Sequence, residues 1–194
     1  MTRYAFVEPL TAEHDRSTFE CGSVAQSEWL RQYGLVAQQA DTARVYIIRP
    51  HGERRVAGYY ALSAGAVAPI EASPRLARGV GRHPIPVILL SRLGVDGRDQ
   101  HRGLGVELVR DAFLQAASVA DRVGARALLV HAETTDAARF YGRLDPAFEP
   151  ASTDPLHLVL LMKDLRRAVA KAAASGHEHI KPLPRGRQRP EPTR

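Results

Sequence analysis

Apolar positions along the chain recur with two periods, and the alternation between them outlines the elements. From Ser23 to Gln39, Val24, Ser27, Trp29, Leu30, Tyr33, Val36 and Ala37 fall at mixed three- and four-residue spacings, which predicts an amphipathic helix. Arg44–Arg49 and Arg55–Ser63 read as two strands joined by a turn around Pro50–Gly52. Ile85–Val95 (IPVILLSRLGV) is an almost unbroken apolar run, the pattern of a strand covered on both faces, and is expected at the centre of a sheet. Leu104, Leu108, Ala112 and Ala116 then repeat every four residues, flanked by Val109, Phe113, Ala117 and Ala120, so a long helix follows. Ala127–Ala132 predicts another strand, Asp136–Arg143 a short helix with Thr135 or Asp136 as N-cap, and Leu156–Lys163 a last strand. The Ala-rich Lys163–Ala174 predicts a closing helix. The order is that of a mixed α/β (α+β) fold in which helices cover a sheet.

Composition narrows the class. A chain of 194 residues with 44% hydrophobic and 25% charged side chains can bury one core, which excludes disordered and collagen-like chains. No apolar run approaches the roughly 18–20 residues needed to cross a bilayer, and Met1–Glu8 meets a carboxylate before an apolar signal segment can build up. A lone Cys21 cannot close an intramolecular disulfide or supply a thiolate cluster, so the expectation is a cytoplasmic protein without a metal. Its bland reading is buried packing, since no thiolate-stabilising partner is visible.

Charge is unevenly placed. Leu165–Arg194 carries eight basic and two acidic side chains, which accounts for the whole net charge of +6 and leaves the remaining body neutral. Within that body Arg75–Arg102 holds six arginines against Asp96 and Asp99. Such asymmetry gives one region a field attractive to polyanions. Arg78, Arg82 and Arg92 are therefore candidate contacts to nucleic-acid phosphates, with a solvated basic loop as the plain alternative. The last 14 residues, KPLPRGRQRPEPTR, have four prolines and almost nothing apolar, so Ser175 onward is expected to be a flexible tail. The expected organisation is one domain over 1–164 followed by a short helix and this tail over 165–194.

The segment richest in chemistry is Ile85–Val106, a strand followed by Asp96-Gly-Arg-Asp and by Gln100-His101-Arg102-Gly103-Leu104-Gly105 at the start of a helix. Unpaired N–H groups at a helix start sit at the positive end of its dipole, and glycines let a phosphate reach the backbone. The loop is thus an anion cradle or a plain glycine turn. A Walker loop would need Lys-Ser/Thr where Val106-Glu107 stands, and a dinucleotide fingerprint would need a third spaced glycine. Gly94, inside Leu93-Gly94-Val95 at the end of the strand, marks a bulge or a close backbone approach.

Gln100–Gly105 resembles the R/Q-x-x-G-x-G/A pyrophosphate loop of the Gcn5-related N-acetyltransferase (GNAT) family, over most of residues 1–163. Phe19-Glu-Cys-Gly22, Gly58-Tyr-Tyr-Ala-Leu62, Leu90-Ser-Arg-Leu93, Leu128-Leu-Val-His131 and Ala138-Arg-Phe-Tyr141 are similar to the aminoacyl-tRNA-acetylating toxins of type II toxin–antitoxin pairs. The resemblance implies a GNAT-like fold, a central mixed sheet with splayed parallel strands and helices on both faces. It implies acetyl-CoA as cosubstrate, held by Leu93, Gly94 and Val95 through pantetheine and by Gln100, His101, Arg102, Gly103, Leu104 and Gly105 through pyrophosphate. It implies Tyr141 as the general acid that protonates the leaving thiolate, aminoacyl-tRNA as acceptor, a ribbon-helix-helix antitoxin and a homodimer. Tyr141-Gly-Arg-Leu-Asp-Pro-Ala-Phe148 is longer than the ending usual in such relatives, so the loop after Tyr141 is expected to differ in shape.

Other readings stay open on the residues alone. His131 and Glu133 lie near the expected active end, but hydrogen-bonded structural roles are favoured, and an α-amine with reference pKa about 7.7–8.0 is partly neutral without a base. Protein or small-molecule amines are alternative acceptors, and a CoA-binding or RNA-binding regulatory module is the non-enzymatic alternative.

Overall fold

A computed structural model describes residues 3–151 and 154–175; the stretch expected to form the basic tail lies, beyond Ser175, outside them. Seven strands form one sheet: β1 (Glu8–Pro9), β2 (Arg44–Ile48), β3 (Gly58–Val67), β4 (Ile85–Val95), β5 (Ala127–His131), β6 (Glu149–Pro150) and β7 (His157–Leu161). Their order is β1-β2-β3-β4-β5-β7-β6, with β4 at the centre. Every neighbouring pair is antiparallel except β4–β5. The mixed α/β fold with helices on both faces of a mixed sheet is the one expected from the sequence.

Strand alternation sorts the core into layers. Tyr60, Leu62, Ile88, Leu90, Leu128 and Val130 point to the face covered by α4 (Leu104–Val123), which contributes Leu104, Leu108, Ala112, Phe113 and Ala116. The four-residue apolar repeat of α4 is this buried stripe. Helix α6 (Met162–Ala174) starts directly after β7 and sinks Met162 and Leu165 into the same cluster. On the opposite face Val45, Ile47, Tyr59 and Ala61 meet Leu10, Phe19 and Leu30. Leu76 of α3 (Pro74–Ala77) covers Ile85, Val87, Ala127 and Leu129 near the start of β4.

Differences from the sequence expectation have local causes. The expected helix over Ser23–Gln39 is α1 (Val24–Glu28), a π-helical segment Trp29–Gly34 and α2 (Leu35–Gln39). Strand β3 starts at Gly58 rather than Arg55, because the backbone before it turns to the 15–16 loop: Val56 N–H donates to the Asp15 carbonyl. It then runs to Val67, since the first half of the long β4 takes it as antiparallel partner down to Val67↔Ile85. The short helix α5 (Thr135–Gly142) is capped by Thr134, whose hydroxyl accepts from Ala137 N–H at 3.1 Å, and not by Thr135 or Asp136. β1, β6 and α3 are too short to leave a periodic signal.

Where β3 meets α4 the packing is tight. A Cβ at Gly58 would lie 2.9 Å from Leu108 Cδ1 and 3.2 Å from the Gly94 carbonyl oxygen. Gly58→Ala is therefore expected to lower unfolding free energy by about 1–3 kcal/mol, as overpacking does. Urea unfolding measures it, and an unchanged midpoint would contradict this packing.

Candidate active site

The site begins with one residue. Across the β3–β4 ladder Ala61 faces Arg92 while Leu62 faces Leu90, so Ser91 is an extra residue, a β-bulge, tied back by its hydroxyl to the Ala61 carbonyl at 3.2 Å. The bulge lies at Ser91 and not at Gly94, as the glycine had suggested. It inverts the alternation of β4: Ile88 and Leu90 face α4, and after the bulge Leu93 and Val95 do so. Arg92 and Gly94 thereby face the α1 side. Gly94 is the close approach instead, because a Cβ there would lie 3.0 Å from the Tyr59 ring and 3.2 Å from Cys21 Sγ.

Beside the bulge the sheet opens. Parallel pairing of β4 with β5 covers only Val87↔Ala127 to Leu89↔Leu129, after which β4 continues to Val95 and β5 stays paired with β7 to His131. From Leu90 on, β4 has a strand neighbour on its β3 side only. The exposed backbone of this splay is the edge that an extended pantetheine can pair with, as the resemblance implied for Leu93, Gly94 and Val95.

At the end of β4 the chain enters the loop and then α4. Gly103 is the N-cap with φ +82, His101 also has a positive φ of 61, and no side chain caps the helix. The Gly103 carbonyl accepts from Val106 and Glu107, whereas the N–H groups of Gly103, Leu104 and Gly105 donate to no described group. Three free donors at a helix N-terminus are the arrangement that an anion cradle requires. The side chain of Gln100 anchors the loop, its Nε2 donating to the carbonyls of Cys21 and Val95, both at 3.0 Å, so that its backbone remains for a ligand. The exposed Arg102 donates to Tyr4 Oη at 3.2 Å.

Two buried carboxylates hold the approach to this loop, and the sequence did not distinguish them from solvated loop acids. Asp96 accepts from Arg98 and from the Glu20 N–H, and Asp99 accepts from Tyr4 Oη at 2.7 Å and Arg55 Nη1 at 2.6 Å. Burial disfavours the charge of Asp99, but the Arg55 and Tyr4 hydrogen bonds outweigh it and hold its pKa below the usual value.

Tyr141, on α5, is buried against Phe140 and Phe148, and its hydroxyl has no hydrogen-bond partner among the described residues. Burial pushes its pKa up. Phe140 lies 3.5 Å from where a Gly105 Cβ would be, so α5 packs on the cradle itself. The longer loop after Tyr141 folds back, with Phe148 N–H donating to the Tyr141 carbonyl. The two tyrosines of β3 are committed elsewhere: Tyr59 Oη donates to the Gln26 carbonyl and Tyr60 Oη to Asp111. Glu133 accepts from Ser23 Oγ at 2.9 Å, and His131 stacks on His157. Among the described residues no cluster of His, Cys, Asp or Glu is placed to hold a metal.

The three candidate arginines do not form one patch. Arg78 and Arg82 are exposed before β4 begins. Arg92 is half-buried beyond the bulge, roughly 25 Å of extended strand away at about 3.3 Å per residue.

No protein-family model matches the chain. It is 41% identical, over 87% of its length and 99% of the relative's, to a tRNA-acetylating toxin of Mycobacterium tuberculosis. Among solved structures it is similar to the toxin AtaT in complex with acetyl-methionyl-tRNAfMet, with a TM-score of 0.75, 27% identity and coverage of 84% of this chain and 98% of that one. A mutant AtaT bound to the C-terminus of the antitoxin AtaR and acetyl-CoA superposes with a TM-score of 0.69 at 27% identity, covering 86% and 97%.

Two outcomes test this geometry. Val at both Gly103 and Gly105 forces a left-handed backbone onto a β-branched residue and fills the cradle, and should weaken acetyl-CoA binding at least tenfold, about 1.4 kcal/mol, by calorimetry. The depressed pKa of Asp99 contributes stability that is present above its unfolded value near 4 and lost as pH falls through the folded value. Asp99→Asn should therefore lower the melting temperature at pH 7 and reduce the loss of stability below pH 4.

Proposed function

The chain belongs to the family of tRNA-acetylating toxins built on the GNAT fold, and on that premise we propose that it transfers the acetyl group of acetyl-CoA to the free α-amine of aminoacyl-tRNA, blocking translation. The observation that supports this reading is that the β4–β5 splay leads into the free N–H groups of Gly103–Gly105, against which α5, the helix that carries Tyr141, packs its Phe140. The acceptor class rests on the M. tuberculosis relative, which is matched over nearly its full length.

Each part has a stated task. The helix dipole and the Gly103, Leu104 and Gly105 N–H groups receive the pyrophosphate, with the backbone around His101 and Arg102 shaping the turn. The β4 edge at Leu93, Gly94 and Val95 aligns pantetheine, so that the thioester lies at the mouth of the splay. Most of the catalysis is this positioning. The neutral amine attacks the thioester carbonyl carbon, the C–S bond breaks, and the departing thiolate takes a proton from Tyr141. Burial raises the phenol above its reference pKa of about 10, so giving a proton to a thiolate of reference pKa near 8.5 is uphill alone. It proceeds when the nitrogen, acidified as it becomes an amide, returns a proton to the phenolate. Amine, thioester and phenol thus exchange one proton in a closed set, and no carboxylate or histidine base is required.

The exposed Arg78 and Arg82, set apart from the opening, fit contacts to the tRNA body rather than to its reacting end. An antitoxin is the partner the reading implies, of the ribbon-helix-helix class, with a homodimer as the assembly. No described helix is long and apolar enough to cross a membrane, and charged tRNA as substrate places the activity in the cytoplasm.

Tyr141→Phe keeps the ring and its packing but removes the proton. Acetylation of charged tRNA should fall 10²–10⁴-fold, with acetyl-CoA affinity and melting temperature nearly unchanged. A stable Phe variant within threefold of the parent rate would remove Tyr141 from the chemistry.

A further inference from the structure

Two irregularities of regular structure meet at one side-chain pair. The bulge at Ser91 turns Arg92 out of the α4 core and onto the α1 side. There its guanidinium lies 5.3 Å from the ring centroid of Trp29, the residue at which the helix widens into the π-helical segment Trp29–Gly34. Each irregularity interrupts the normal spacing of its element, and both kinds concentrate at functional sites. Trp29 is fixed from beneath by stacking on the fully buried Tyr59, with centroids 5.9 Å apart, and Tyr59 is fixed by its hydrogen bond to Gln26. The pile Tyr59–Trp29–Arg92 holds the guanidinium in one orientation.

The charge held there is unbalanced. Most arginines of the sheet and its loops are paired: Arg49 with Glu8, Arg55 with Asp99, Arg75 with Glu149 and Asp164, Arg98 with Asp96. Arg92 has no carboxylate partner among the described residues; Nη1 donates to the Ser91 carbonyl at 3.1 Å, and the buried Nε donates to nothing. A half-buried cation with an idle donor is costly unless an anion completes it. Its place is defined too: it stands just past Leu89, where β5 leaves β4, at the rim of the splay.

We propose that Arg92, presented by Trp29, grips the last phosphodiester of the acceptor strand, the one joining the terminal adenosine to the nucleotide before it. This deepens the aminoacyl-tRNA reading and rests on it. In such a substrate that phosphate is the anion nearest the reacting amine, separated from it by one ribose and the ester. The guanidinium fork suits a phosphodiester, and an orientation fixed beforehand spares the entropy of ordering it on binding. Arg92 is then a positioning residue that sets the amine against the thioester. Arg78 and Arg82, at the far end of β4, cannot share that task.

The test compares two minimal acceptors, a 3′-aminoacyl adenosine without a phosphate and the corresponding 3′-aminoacyl cytidylyl-adenosine with one phosphodiester. The parent enzyme should acetylate the dinucleotide at least tenfold more efficiently in kcat/KM. Arg92→Gln should abolish that preference by slowing the dinucleotide alone, with the adenosine ester within about twofold of the parent rate and acetyl-CoA affinity unchanged. Arg92→Lys, which keeps the charge without the fork, should retain part of the preference. Equal use of both acceptors by the parent would overturn the proposal even if the variants fail to fold, and so would an equal fall on both in Arg92→Gln. Failure of the parent to acetylate intact charged tRNA would instead overturn the broader functional reading.

Discussion

Backbone N–H and C=O groups need partners, and β4 is deprived of a strand partner on one side for half its length. In a closed parallel pair that would be a cost with no return. In the proposed reading the open edge is the recognition surface: an extended ligand with amide groups of its own can occupy the place a strand would take. The sheet tolerates the gap because β3 follows β4 from Val67↔Ile85 to Gly58↔Val95 and holds it from the other side. The antiparallel β5–β7 ladder likewise keeps β5 in place without help from β4. Each wall of the opening is thus braced from behind.

The loop that follows is rigid for electrostatic reasons. Asp96 and Asp99 are almost wholly buried, at 1% and 2% exposure, and each is satisfied by an arginine and at least one further donor. These partners come from distant parts of the chain, Tyr4, Glu20 and Arg55, so the short segment between β4 and α4 is pinned to three others. Gln100 adds a fourth tie to Cys21. A cradle of bare N–H groups would otherwise be free to twist and hydrogen-bond to water.

Much of this was legible in the chain. The apolar run Ile85–Val95 and the four-residue repeat from Leu104 are strong periodic signals, and both elements start where those patterns do. Gly103 marked the turn before α4, because few other residues suit its positive φ. Of the two meanings Gly94 offered, only the close approach holds, and the extra residue, Ser91, is ordinary and is marked only by a change in alternation on either side of it. The π-helical segment was hidden for the same reason: its apolar spacing still passes for α-helical. The role of the two aspartates depends on partners far away in sequence, which no local pattern encodes. Arg78, Arg82 and Arg92 looked like one cluster because they are close along the chain, and a single extended strand is enough to separate them.

The hydrogen bond between Tyr4 and Asp99 spans 95 residues. A chain synthesised from amino to carboxyl end therefore carries one half of this clasp for 95 residues before it acquires the other. Contacts of such separation form late, because a long loop must close before they contribute. The strands and α4 can assemble around local apolar pairings first, while the anion loop stays unpinned until the amino terminus returns to it. The loop is then fixed only once both ends of the clasp are present, and forms that lack either Tyr4 or Asp99 have the scaffold without its pinned loop.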